Sequence, residues 1–376
     1  MKAEDFGIHG CLGFGCMRLP MIGGSEGQVD VAQTRDMVDC FMEHSFNYFD
    51  TAHGYIGGKS ETALKECLTS RYPRHSYLLA DKLSPSHFER EEDIRPLFQR
   101  QLDACGVEYF DFYLMHAQNK KLFEKYKSCR AYETAMDLKR EGKIRHLGIS
   151  FHDSAAVLDE ILTAYPQIEV VQIQLNYADY EDPIVQSHAC YEVCRRHGKP
   201  VIVMEPVKGG LLVNLPDEAE AVFAAMGGSP ASYALRFAAS HPDVITVLSG
   251  MSDLAMMEEN VSVMERFAPI DAAERDAIAR VRAILAAQKN IACTACRYCV
   301  DGCPANIPVP ALFSCHNNAR TWKNWNGTAR YQFLTKEKGK ASDCIGCGAC
   351  EDACPQSLPI RELLTEIARE FEGDGQ

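Results

Sequence analysis

Two stretches of the chain set cysteines at regular intervals. CTACRYCVDGCP begins at Cys293 and CIGCGACEDACP at Cys344, and both read C-x2-C-x2-C-x3-C-P. Two-residue spacings let a tight turn wrap three thiolates around one centre, and the closing proline ends that turn because it fixes φ and lacks an amide donor. Thiolates in such numbers bind iron–sulfur clusters or zinc. A third x2-spaced cysteine exceeds what a zinc knuckle uses, and the repetition of the whole run favours iron. A second set is dispersed: Asp50 and Tyr55 in FDTAHGYIGGKSE, Lys82 in LLADKL and His116 in DFYLMH. Singly these read as a helix cap, a loop aromatic, a surface charge and a satisfied histidine. Brought together they form an acid–base group, with a phenol to move a proton and ionic neighbours to tune it.

Elements that alternate in type must position these residues. Short apolar runs (LGFGCMRL, FNYFD, SYLLADKL, DFYLMH, IRHLGIS, IEVVQIQLNY, PVIVMEP and VITVLSG) are each followed by an amphipathic segment, the helical candidates being 31–45, 60–70, 89–105, 130–141, 154–164, 183–197, 230–240 and 253–266. Strand–helix alternation implies a parallel sheet with helical crossovers, and this many units fit a closed (β/α)8 TIM barrel. Chemistry in such barrels sits at the C-terminal ends of the strands, where Asp50, Lys82 and His116 fall. Beyond Pro269 a charged helix, DAAERDAIARVRAILAAQKN, leads into the cysteine-rich part. The expected organisation is a barrel over 1–270, a helical connector over 271–290 and a small, helix-rich, ferredoxin-like iron–sulfur domain over 291–376.

The 376 residues carry 39 basic and 52 acidic side chains, a net charge of −13. That excludes a general nucleic-acid binder, which needs a basic face. No apolar stretch reaches the length of a membrane span, and the N-terminus lacks the apolar core of a signal peptide. A cytoplasmic protein is expected, and 17 cysteines in a reducing compartment argue for metal binding or catalysis over disulfides. Outside the two runs most cysteines read as small buried hydrophobes, with Cys11 and Cys16 the ones worth testing for reactivity.

FDTA with the following Tyr and SE, the D-x-Y-L-x-H pattern, IRHLGIS and the EEN before Val261 make Leu12–Phe267 resemble the aldo-keto reductase family. The resemblance implies a tetrad of Asp50, Tyr55, Lys82 and His116. A carbonyl that receives hydride becomes an alkoxide and needs a proton; a tyrosine near pKa 10 donates poorly at neutral pH unless a cation lowers it. Lys82 would supply that cation, Asp50 would orient it, His116 would hydrogen-bond the substrate oxygen, and Tyr55 would be the general acid. The same resemblance maps Ser150 and Gln172, with Asn176 nearby, onto the grip for a nicotinamide carboxamide. Met204 falls where a ring stacks on the nicotinamide, and Glu259 and Asn260 match contacts to the adenine end. Gly209 and Gly210, and Gly250, follow the seventh and eighth strands, where barrels bind phosphate. Residues 291–358 resemble a two-[4Fe–4S] ferredoxin module. By that likeness Cys293, Cys296, Cys299 and Cys354 hold one cluster, and Cys344, Cys347, Cys350 and Cys303 the other.

Several positions depart from the family pattern. Phe151 stands where an asparagine follows the serine, and Gly250 and Met256 stand where a lysine and an arginine meet the 2′-phosphate of NADP. Glu258 and Glu259 would repel that phosphate unless Arg18 or Lys208 swings in. NAD(H) is therefore favoured over NADP(H), and an FMN is a further option, because clusters carry single electrons and a nicotinamide carries a hydride. The expected activity is the interconversion of a small carbonyl and its alcohol, the clusters exchanging electrons with a bound cofactor or a partner. Arg320, Lys323, Arg330, Lys336, Lys338 and Lys340 suggest docking of an acidic ferredoxin or flavodoxin, and Trp322 and Trp325 read as core of the small domain. Two other readings are a redox-sensing or regulatory nucleotide-binding barrel with little turnover, and clusters that are purely structural.

Overall fold

The computed structural model describes residues 2–24, 27–182, 185–288, 290–321 and 327–373. The chain forms two units: Met1–Pro206 with Ala231–Asp271, and Val207–Pro230 with Ala272–Gln376. Trp322, Lys323 and Trp325 lie outside the described residues.

In the first unit eight strands close into a parallel barrel: β1 (Leu12–Gly15), β2 (Tyr48–Asp50), β3 (Leu78–Leu83), β4 (Phe110–Gln118), β5 (Ile144–Phe151), β6 (Val170–Gln174), β7 (Val201–Met204) and β8 (Val244–Ser249). Each pairs with its sequence neighbours, and β1 closes the ring by pairing with both β2 and β8. The expected barrel is the observed fold. Its strands are short, and alternate residues face opposite sides. One set (Tyr48, Leu78, Ala80, Phe112, Leu114, Val170, Ile202 and Leu248) joins Phe6 and Ile8 in an apolar cluster. The other set (Phe49, Leu79, Leu83, Tyr113, Met115, Val171, Ile173 and Val203) packs with the helices in a second, larger cluster. Continuing the first set toward the strand ends, the period of two reaches Asp50, Lys82, His116, Ser150, Gln172 and Met204. Polar residues thus sit above an apolar plug on one face. Gly148 keeps that face closed, since a Cβ there would lie 2.5 Å from a Leu114 methyl.

The helices α1 (Val31–Glu43), α2 (Lys59–Leu64) and α3 (Glu91–Cys105) follow the first three strands. Asp30 caps α1 by accepting from Gln33 N at 3.0 Å, which satisfies one of the amides that a helix start leaves unpaired. The helix expected over 60–70 is α2 followed by a wider turn, Lys65–Thr69. After β4 the chain forms α4 (Lys120–Ser128), which no helical candidate covered, and α5 (Ala131–Arg140), within the candidate at 130–141. Asn119 caps α4 through Leu122 N, and its apolar face buries Phe123 and Tyr126. The remaining helices of this unit are α6 (Ala155–Ala164), α7 (Ser187–Arg196), α9 (Pro230–Ala239) and α10 (Leu254–Glu265), with α8 (Asp217–Ala224) belonging to the second unit.

The second unit is helical. It holds α8, α11 (Ala272–Gln288), the short turns α12 (Tyr298–Asp301) and α15 (Ala349–Asp352), and α13 (Val309–Thr321), α14 (Gly327–Leu334) and α16 (Ile360–Glu372). Ile307, Leu312, Phe313, Tyr331, Ile360, Leu364 and Ile367 make its core, with cysteines of both runs packed against it. Asn317 on α13 fixes the start of the first run, accepting from Ile291 N at 2.8 Å and donating to Ile291 O at 2.7 Å. Val207–Pro230 falls within the span expected for the barrel, yet it groups with this unit: α8 packs on α11. Among the described residues no helix is long and apolar enough to cross a membrane.

Candidate active site and cluster sites

The four dispersed residues meet. Lys82 is fully buried and its Nζ donates to Asp50 Oδ1 at 2.5 Å, to Thr51 O at 2.7 Å and to Tyr55 Oη at 3.2 Å. The ammonium also lies 4.7 Å from the centroid of the Tyr55 ring. Asp50 ends β2, and its second oxygen accepts from Gln172 Nε2 at 3.0 Å, so the buried carboxylate has a donor on each side. A buried charge needs such pairing, because removing it from water costs several kcal/mol. His116 is buried, with Nδ1 2.8 Å from Ser84 Oγ, and its ring meets Tyr55 edge-on at 5.9 Å.

The direction of the Tyr55 shift is a correction. Lys82 was expected to bring the phenol down; burial, with the Asp50 carboxylate next in weight, instead raises it well above its usual value. The ammonium's charge is shared with Asp50, so the resting side chain is a firmly protonated phenol. His116 is pushed well below its ordinary value, first by burial and then by Lys82, and is a neutral imidazole. Cys11 and Cys16 are corrected as well. Burial raises the Cys11 thiol to about 11, and Cys16 is fully buried, is raised further and donates to Phe14 O at 3.4 Å. Neither offers a thiolate at neutral pH.

The residues mapped to the nucleotide are less uniform. Ser150 Oγ accepts from Ala117 N at 2.8 Å, a bond that steadies the break in pairing between β4 and β5. Asn176 spends its side chain locally: it donates to Asp179 Oδ2 and to Glu205 O, and accepts from Ala178 N and Asp179 N. It holds a turn together and fixes the left-handed backbone of Glu205, whose φ is 57°. Met204 is half-buried at the end of β7, and Asn260 is buried, donating to Ser249 Oγ at 3.0 Å. Glu258 and Glu259 are exposed on α10. Arg18 packs on Gly250, its Cδ 3.3 Å from where a Cβ would stand. Gly209 has φ 63°, and a Cβ there would come within 2.2 Å of Thr294 O, so this glycine is demanded by the first cysteine run. Lys208 beside it is buried.

Behind β3 lies a feature the sequence reading passed over. Glu61, Asp81 and Cys105 are buried with their ligand atoms within 4.8 Å of one another. Asp81 Oδ1 accepts from Gln101 Nε2 at 2.9 Å, and Glu61 reaches outward to His53 Nδ1 at 2.9 Å. Burial and the neighbouring Glu61 raise Asp81 well above the carboxylate range, so it holds a proton. The signal was available: Asp81 falls on the strand face opposite Lys82, toward the helices.

The cysteines sort into two sets. Cys293, Cys296, Cys299 and Cys354 line one space of about 300 Å³, with Thr294, Phe313 and Ile360. Cys303, Cys344, Cys347 and Cys350 line another of about 350 Å³, with Ala305, Ile345 and Leu364. Each fourth cysteine therefore stands with the opposite run. Backbone amides already point at sulfur, Ala295 N to Cys293 Sγ at 3.4 Å and Ile307 N to Cys303 Sγ at 3.5 Å. Burial raises Cys299, and the thiols of Cys296, Cys293 and Cys354 raise it further. Four converging thiols in an apolar pocket become thiolates only when a cationic core compensates them, and the donor set suits iron–sulfur clusters.

The aldo/keto reductase family model matches residues 11–283. The chain belongs to this family. It is thus an oxidoreductase, and this aldo/keto reductase carries in addition a 4Fe–4S dicluster domain, matched over 292–358. The L-galactose dehydrogenase of Arabidopsis thaliana is 26% identical over 305 residues, covering 74% of this chain and 92% of that one. The NADH-specific methylglyoxal reductase of Escherichia coli is 25% identical over 211 residues, covering 51% of this chain and 62% of that one. Among solved structures, the holo form of an aldo-keto reductase from Bacillus halodurans superposes with a TM-score of 0.58 at 25% identity, covering 72% of this chain and 91% of that one.

Proposed function

We propose that this aldo/keto reductase reduces the carbonyl of a small aldehyde or ketone at Tyr55, with NADH as the preferred dinucleotide and with two [4Fe–4S] clusters that exchange electrons with a carrier such as a ferredoxin or flavodoxin. The observation that carries the reading is the Tyr55 hydroxyl 3.2 Å from a fully buried ammonium that Asp50 holds at 2.5 Å. When bound, a nicotinamide supplies hydride and the clusters supply single electrons. The remaining chemistry belongs to the chain. Tyr55 donates its proton to the oxygen that becomes an alkoxide, and Lys82, already within hydrogen-bond reach, stabilises the tyrosinate left behind. Asp50, held by Gln172, keeps the ammonium in place. Where Ser84 donates to His116 Nδ1, the ring proton lies on Nε2 and serves as a neutral donor to the substrate oxygen. Cys293, Cys296, Cys299 and Cys354 would hold one cluster and Cys303, Cys344, Cys347 and Cys350 the other.

Glu258 and Glu259, exposed in the second turn of α10, support NADH, since carboxylates there would repel a 2′-phosphate bound near this helix. Arg18, packed on Gly250, is the cation that would moderate this preference. Anaerobic turnover of simple aldehydes with NADH and with NADPH, in the wild-type chain and in Tyr55→Phe, tests the reading. Loss of general acid catalysis lowers kcat by roughly 10²–10⁴-fold. Equal rates in the two proteins would refute an enzymatic role for this site and favour the redox-sensing alternative.

A further inference from the structure

The two cysteine sets differ in exposure. In the first run Ile291, Thr294 and Cys299 are buried, at 6%, 1% and 8%. Gly209, from the segment that joins this unit after β7, lies directly against Thr294. The second run is open. Cys347 is exposed, Ile345 is 71% exposed, and no heavy atom stands within 4 Å of a Cβ placed on Gly346 or Gly348. Val309, at the start of α13, lines both cavities.

The border of the open set is basic in an otherwise acidic chain. Gly339 packs so closely on Ala305 O that an added Cβ would lie 2.1 Å away, and Ala305 lines the second cavity. This brings the stretch from Lys336 to Lys340 alongside that cavity. Tyr331 on α14 accepts from Ala341 N at 2.8 Å, which ties α14 to the same border. Arg330, Lys336 and Lys340 are exposed, and Arg330 lies 5.3 Å from the ring of Phe333, itself 68% exposed. Glu337 is the one acid between residues 330 and 340. Of the nearby carboxylates, Asp343 accepts from the backbone N of Lys340 at 2.7 Å, Glu351 pairs with Arg361 at 2.7 Å, and Asp352 in the run itself is exposed.

We infer that the cluster held by Cys303, Cys344, Cys347 and Cys350 is the port through which a small acidic one-electron carrier protein delivers electrons, docking over Ile345 against the basic edge of Arg330, Lys336 and Lys340. This rests on the reading of the cysteine sets as cluster ligands. The carrier would give up one electron and a cluster held by these four cysteines would take it up, with Val309 beside both cysteine sets. No bond is made or broken and no proton moves. Apolar contact at the centre gives affinity, while the basic rim speeds encounter with an acidic surface.

Anaerobic stopped-flow reduction of the full holo chain tests this, with reduced acidic ferredoxin as the donor, dithionite as the small control donor and cluster absorbance and EPR as readouts. Ile345→Glu and the double variant Lys336→Glu/Lys340→Glu should each slow ferredoxin-driven reduction by roughly tenfold or more, and the wild-type rate should fall as salt rises. Dithionite should reduce the double variant as fast as wild type. Unaltered ferredoxin rates in both variants overturn the port while leaving the cluster reading intact, provided dithionite still bleaches the clusters. Purified chain without iron overturns both. A concentration-dependent dimer that Ile345→Glu abolishes assigns the face to a second copy of the chain and overturns the carrier.

Discussion

Replacing Lys82 with methionine keeps the side-chain volume and removes the charge. Asp50, 3% exposed, would then keep one donor, Gln172 Nε2, in place of two, and Thr51 O would lose its ammonium partner. Breaking one side of a buried ion pair costs about 3–5 kcal/mol, because the surviving charge stays out of water uncompensated. For a barrel of this size each kcal/mol lowers Tm by roughly 2–4 °C, so the variant should unfold about 6–20 °C earlier. Adding Asp50→Asn removes the stranded carboxylate, and an amide can still accept from Gln172. The double variant Asp50→Asn/Lys82→Met should therefore be more stable than Lys82→Met alone, although it remains inactive. Thermal unfolding followed by circular dichroism on the three proteins measures both steps. A Lys82→Met loss below about 1 kcal/mol, or no recovery in the double variant, would refute the claim that the pair is energetically coupled.

Cys354→Ser should remove the cluster of the first cysteine run and leave that of its own run, so that iron content falls to roughly four per chain; loss of the Cys344-run EPR signal would contradict the crossed sets. Gly209→Ala should destabilise the second unit by about 1–3 kcal/mol, from a left-handed backbone and the contact with Thr294. Earlier release of iron on warming would show it. The buried histidines should contribute a loss of stability as pH falls below about 6.5, opposed in part by Asp81, whose raised carboxyl is protonated in the folded chain first. His116 and His152 are depressed, the latter to about 4, so the unfolded chain takes up protons there before the folded one does. Glu169, lowered to about 2 despite its burial by bonds from His146 and Lys139, adds a loss between about 4.5 and 2. Denaturant midpoints from pH 7 to 4 measure the limb, and His116→Gln should flatten it.

The active-site constellation was legible because strand alternation is local: Asp50, Lys82 and His116 each close an apolar run, and a period of two sends each to one face. Tyr55 has no strand period to place it, since it sits on a turn that includes left-handed Ile56 and Gly57. Asn119 and the apolar face of α4 were readable signals, although no helical candidate covered 120–128. The sign of the Tyr55 shift was not readable, because it depends on how much of the ammonium's field Asp50 absorbs and how deeply the phenol is buried.

By itself the sequence determined the barrel, through eight alternations of apolar run and amphipathic segment, and the cluster domain, through two cysteine runs whose spacing is itself the chemistry. Only the tertiary structure decided which groups share an environment. It turned Gln172 toward Asp50, set a protonated Asp81 beside Glu61, joined Val207–Pro230 to the second unit and stood Cys354 with the first run. Each depends on residues far apart along the chain, where desolvation and charge act through space and no local period records them.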